Sequence, residues 1–228
     1  MPSKAAIVRI TGGIVGPVAL IATWARLGYR SGGYSPVADP ISRLAATGAS
    51  TQAAMTVGLV SYAAGIGLHH SILRDRFGPA VGHAALLNAV ATLGIAATPL
   101  DSVLGGSPHV MAAGLSYASL AAIPLLAAPA LRTGGHRTAA NLSVAAGIVS
   151  AGCLGVSATD VTSATGLLQR AGLTAGHLWL IVTALQMLAG PGWRARAPLG
   201  GAVGRHLTQR GHYLIPSRAG QPRPIVKA

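Results

Sequence analysis

The sequence predicts an all-α, polytopic membrane protein: a six-helix transmembrane bundle built as three hairpins. Three observations predict it. The 228 residues are 51% hydrophobic and only 9% charged, against about 25% charged in soluble domains. The apolar residues gather into six stretches of about the ~20 residues that a helix needs to cross a ~30 Å hydrocarbon core. The connecting segments carry positive charge on alternate sides. The spans fall near 5–27, 51–73, 79–100, 109–131, 139–158 and 168–189, forming a transmembrane domain over residues 1–189.

The first span follows Lys4 and Arg9, which could also be the basic region of a signal peptide. Its apolar run is longer than a typical h-region and lacks a clear small-x-small cleavage site, so it reads as a retained helix. Within it, Gly12 and Gly16 have the spacing that lets helices approach closely, as do Gly147 and Ala151 in the fifth span. Trp24, Tyr29 and Tyr34 lie near one end of the first span and Trp193 past the end of the sixth, where aromatic rings suit the headgroup region. Cys153, the single cysteine, permits no disulfide within one chain. It reads as a buried, inert thiol.

Basic residues beside short loops face the cytoplasm. Thirteen of the seventeen fall on one side: Lys4, Arg9, Arg74, Arg76, Arg132, Arg137 and seven in the C-terminal tail. Arg26, Arg30, Arg43 and Arg170 fall on the other. Both termini are therefore expected in the cytoplasm, with the protein in the cell membrane. Residues 190–228 are basic, proline-containing and free of acids. They predict a largely disordered tail with a short surface helix near 199–209, held to anionic lipid headgroups. That accounts for the net charge of +13 without nucleic acid.

Three acids, Asp39, Asp101 and Asp160, fall beside the outer loops, and only Asp75 lies inside. In the first outer loop, Asp39-Pro40 has the form of an N-cap followed by proline at the first helical position, with Arg43 one turn on. This predicts a short helix on or dipping into the outer surface. Asp101 closes the third span, the unfavourable end of a helix dipole for an acid, so it wants a partner such as His109 or an outer arginine. Ser107-Pro108 marks the start of the fourth span. Gln169 and Arg170 stand where the sixth helix enters the membrane. Arg170 can snorkel to the interface, and His177 lies two turns deeper, where a packing or a functional histidine is possible. These eight residues form the candidate outer-face polar cluster.

His69, His70 and His83 read as interfacial. The chain has no HExxH, CxxC or GxSxG motif and no phosphate-binding glycine loop. No metal site and no cofactor are expected, and no catalytic residue is assigned.

The loop and helix motifs carry a resemblance. The chain resembles the bacterial and archaeal membrane proteins grouped as the domain-of-unknown-function family numbered 998. The likeness lies in Tyr34-Ser35-Pro36 through Ile41-Ser42-xx-Leu44, in Pro99-x-Asp101 with His109, and in Gly166-Leu167-x-Gln169-Arg170. These frame residues 5–189. The resemblance implies six or seven membrane helices and no established activity. This chain has Arg43 where the family pattern commonly has an acid after Ile41-Ser42.

Three functions are compatible with these features. The first is an accessory envelope protein whose outer rim binds a lipid headgroup or a membrane-protein partner. The second is an intramembrane enzyme using Asp101, His109 and Asp160 on a lipid-linked substrate. The third is a small transporter, for which Asn88, Thr92, Ser61, Ser143, Ser150, Thr183 and Gln186 supply only uncharged midplane groups. The accessory reading ranks first, and enzymatic activity is undecided.

Overall fold

The computed structural model describes residues 3–103, 106–159 and 161–190. The tail and its expected surface helix, Trp193 and Asp160 lie outside the described residues. Six α-helices account for most of the chain: α1 (Lys4–Arg30), α2 (Gln52–Phe77), α3 (Pro79–Ala97), α4 (Gly106–Thr133), α5 (Arg137–Ser157) and α6 (Thr165–Ala189). A 3-10 helix, Ile41–Ala45, interrupts the long connection between α1 and α2. No strand occurs among the described residues.

Local chemistry sets the helix ends. Ser3 Oγ accepts the Ala6 N–H at 3.2 Å and caps α1. Gly78 alone separates α2 from α3. Its φ of 105° suits a residue without Cβ, its N–H closes α2 on the Arg74 carbonyl at 2.9 Å, and Pro79 opens α3. Asp101 lies past the end of α3 in a turn, at a φ of 62°, a left-handed conformation that aspartate tolerates better than most residues.

Each helix packs antiparallel on its neighbour in sequence, and α6 returns to α1. An even number of antiparallel neighbours lets the ring close. Backbone approach fixes the α1–α2 seam: a Cβ at Gly12 would lie 2.5 Å from the Gly65 carbonyl oxygen, and one at Gly16 3.0 Å from that of Tyr62. The Gly12/Gly16 pair is thus a true helix contact. Gly147 sits equally tightly against Leu125 and the Ala121 carbonyl of α4.

The ring is inverted relative to a soluble protein. Val15, Val57, Val90, Leu142, Ile148, Val182 and Leu185 are exposed on its outside, whereas His69, Asn88, Ser143, Ser150 and His177 are buried within it. So large an apolar exterior is foreign to water-soluble monomers. Among the described residues, five helices, all but α2, are long and apolar enough to cross a membrane. In α2, His69, His70 and the charged turn Arg74-Asp75-Arg76 dilute the apolar run.

The uncharged midplane groups join helices. Tyr62 of α2 donates to Asn88 Oδ1 at 2.6 Å, and Asn88 Nδ2 donates to the Ser116 carbonyl of α4 at 2.8 Å. Trp179 Nε1 donates to Ser143 Oγ at 2.7 Å, and Ser150 Oγ to the Gly172 carbonyl at 2.9 Å, tying α5 to α6. His69 is fully buried, and its Nδ1 donates to the Arg9 carbonyl at 3.1 Å. Cys153 is a free, half-buried thiol.

Candidate functional site

The polar cluster lies where the C-termini of α1, α3 and α5 meet the N-termini of α2, α4 and α6. The 3-10 helix crosses this end as a roof and divides the cluster in two.

Beneath the roof is a cavity of about 50 Å³, walled by every helix except α5. Ile41, Ser42 and Ala45 close it from above, and Leu20, Met55, Leu59 and Leu120 form apolar wall. Trp24, Tyr62, Tyr117, His109, Gln169 and His177 are among the polar side chains that line it. His109 Nδ1 is 2.7 Å from the Thr98 carbonyl. A carbonyl only accepts, so this nitrogen carries the proton and a neutral ring keeps Nε2 as a free acceptor. His177 is 1% exposed, packs against Tyr62 with ring centroids 4.7 Å apart and planes tilted by 49°, and has no partner for Nδ1.

Above the roof, Asp39, Arg43 and Asp101 line a wide, open depression together with Leu100 and Thr165. Asp39 does not cap the 3-10 helix. Its carboxylate turns back to accept the Ser35 N–H at 2.7 Å, and it pairs with exposed Arg43 at 3.6 Å. Such a pair contributes at most about 1 kcal/mol. Asp101 finds no ion-pair partner among the described residues, and His109, bonded to Thr98, does not supply one. Asp101 and His109 thus line separate spaces on the two sides of the roof.

Gln169 and Arg170 fasten the roof. Gln169 Oε1 accepts the Ile41 N–H at 2.6 Å, and its Nε2 donates to the Tyr117 hydroxyl. Arg170 does not snorkel. It is 8% exposed, and Nη1 donates to the carbonyls of Pro36, Asp39 and Gly166 at 2.7, 3.0 and 2.8 Å. Nη2 donates to the Tyr34 hydroxyl, and the guanidinium lies 5.4 and 5.5 Å from the Trp24 and Tyr34 ring centroids. Carbonyls and aromatic faces are the partners a cation finds where water is scarce. Burial raises the Tyr34 phenol above its ordinary pKa, with Arg170 opposing. The phenol therefore keeps its proton and donates toward the Asp39 and Pro40 carbonyls at 3.3 and 3.2 Å. Leu167 N–H donates to the Val37 carbonyl at 2.9 Å. Gly166 lies so close that a Cβ there would sit 2.2 Å from the Asp39 carbonyl oxygen.

Of the eight candidates, the structure brings His109, Gln169 and His177 to the cavity, places Asp39, Arg43 and Asp101 above it, and sets Arg170 between loop and wall. Asp160 lies outside the described residues. Sequence reasoning missed Tyr62 and Tyr117, took Trp24 and Tyr34 as interfacial anchors, and read Asn88 only as a midplane group. Helical spacing carried a signal: His109, Ala113, Ser116, Tyr117 and Leu120 share a face of α4, as do Gln169, Leu173 and His177 on α6. No group of three or more metal-binding side chains occurs among the described residues.

Fold and site together define a multi-pass helical membrane protein with a small, mainly apolar cavity edged by a few polar groups. The chain belongs to the family described as Protein of unknown function (DUF998), whose model matches residues 14–186. No curated protein and no solved structure matches it.

Proposed function

We propose that this protein is an accessory membrane protein that spans the cell membrane six times, with both termini in the cytoplasm, and binds an amphiphile or a membrane partner at its roofed outer end. The roofed cavity carries the reading: apolar walls with a few unpartnered polar atoms are the usual character of a ligand site. Crossing by α2 follows from its place between α1 and α3, antiparallel to both, with Val57, Val60 and Leu68 facing outward. The excess of basic residues at the opposite end supports the orientation, and the basic tail suits anionic lipid headgroups.

Labelling from outside intact cells tests the topology. In a background with Cys153 replaced, cysteines at Ala49, Val103 and Thr162 should react with a membrane-impermeant maleimide, and those at Asp75 and Gly135 should not. Reaction of the second set alone would invert the orientation. Native mass spectrometry of nanodisc-embedded protein tests the site. Ala113→Leu, which fills the cavity, should release any retained amphiphile while the helix content stays. Retention at unchanged stoichiometry would sink the reading.

A further inference from the structure

His109 presents the cavity with an acceptor that no group of the chain uses. Its Nδ1–H is engaged by the Thr98 carbonyl at 2.7 Å, which fixes the tautomer and leaves the lone pair on Nε2. The residue is 5% exposed, and it lines the cavity and not the depression above the roof. Nε2 is unbonded and keeps accessible surface, whereas the unbonded Trp24 Nε1 and His177 Nδ1 are sealed in protein. An acceptor held away from water without a partner is unfavourable until a donor reaches it.

The donor that fits is uncharged. No Asp, Glu, Lys or Arg lines the cavity, so an ammonium, sulfate or phosphate head would enter without a counter-charge. Arg170 does not supply one. It is not part of the wall, and its Nη1 is engaged by the Pro36, Asp39 and Gly166 carbonyls. The space of about 50 Å³ is less than twice a water molecule's ~30 Å³ share of the liquid. It admits a hydroxyl with its first carbon and leaves an attached chain outside. Trp24 of α1 and Leu173 of α6 are half-buried parts of the wall on the seam that closes the ring. No connecting loop spans that seam, whereas the turn around Asp101 bridges α3 and α4 at this end.

We propose that the cavity binds the head of an uncharged lipid alcohol, whose hydroxyl donates to His109 Nε2 while its chain leaves between Trp24 and Leu173 into the bilayer. The proposal rests on the ligand-binding reading and names the chemistry of that site.

Saturable binding of labelled hexadecanol to the full chain in phosphatidylcholine nanodiscs tests it, with hexadecyl methyl ether, hexadecyl sulfate and hexadecylamine as competitors. Hexadecanol should bind, and each competitor should displace it at least about tenfold less effectively than unlabelled hexadecanol does. The ether accepts a hydrogen bond but cannot donate one, and the two ions find no counter-charge. His109→Phe keeps an aromatic ring and removes Nε2, and should weaken hexadecanol binding about tenfold. His109→Gln, whose amide oxygen extends about as far as Nε2, should restore most of it, a recovery that a merely structural role would not give. The ether or the sulfate competing as well as hexadecanol overturns the proposal. So does His109→Phe binding hexadecanol like the parent at equal folded fraction. A cavity that takes up water alone shows no saturable hexadecanol binding, which also overturns it. Should hexadecanol fail to bind while Ala113→Leu still releases a retained amphiphile, this assignment falls and the broader function stands. Should neither be seen, both fall.

Discussion

Gly166→Ala is the sharpest probe of how the roof is held. A Cβ at Gly166 would lie 2.2 Å from the Asp39 carbonyl oxygen and 2.8 Å from Arg170 Nη1. The first neighbour is backbone, so no rotamer relieves it. To bring that contact out to 3.0 Å, the loop must retreat by 0.8 Å. That movement pulls the Asp39 and Pro36 carbonyls from Arg170 and the Val37 carbonyl from Leu167 N–H. Hydrogen bonds to charged groups contribute about 1.5–3 kcal/mol and neutral ones about 1. Alanine returns up to about 1 kcal/mol of helix propensity. Partial loss of the three bonds therefore leaves a net destabilisation of about 2–4 kcal/mol. For a domain of this size that is roughly 4–16 °C in Tm. The assay is thermal unfolding in mild detergent followed by tryptophan fluorescence, to which Trp24, Trp179 and Trp193 all contribute. Gly152→Ala on α5 is the control: a Cβ there meets nothing within 4 Å, so it should be neutral or slightly stabilising. If the two variants melt together, the roof is not fastened through this contact.

Other outcomes are equally definite. Asn88→Leu removes the acceptor of Tyr62 and the donor to Ser116. It should destabilise the ring by about 1–2 kcal/mol, read by unfolding in mixed micelles, on the scale of interhelical bonds in membranes. Ser143→Ala orphans the Trp179 indole N–H and should cost about 0.6–1.7 kcal/mol, with a shift in Trp179 emission. Arg43→Ala breaks only an exposed pair and should change Tm by no more than an effect of about 0.5 kcal/mol. Gly65→Leu drives a side chain into Gly12 and Gly16 of α1 and should abolish the folded form in detergent extracts.

The helices were legible because length and apolar content are properties of a segment by itself. The roof was legible only in outline. Proline after Asp39 suggested a cap, but the aspartate found a nearer N–H at Ser35, leaving Pro40 before a 3-10 turn. Arg170 misled for a different reason. Snorkelling is a rule about a side chain and the closest water, whereas its partners Pro36 and Asp39 lie 134 and 131 positions away in sequence. No local pattern encodes such distances. The burial of His69 was likewise hidden, because its acceptor is Arg9, 60 residues earlier. The inward faces of α4 and α6 were readable in principle from spacing. An alanine-rich helix with small residues on every side hides them.

The clamp on the roof also dictates an order of assembly. The loop after α1 is fastened by side chains that leave the ribosome 128 to 134 residues later, an interval of roughly 6–27 s at ~5–20 residues per second. Throughout that time the first three helices can already be inserted, with their shared chamber still open to the membrane exterior. Arrival of the final helix both completes the circle and shuts the door, so a chain truncated before residue 165 would be delivered to the membrane permanently unlatched.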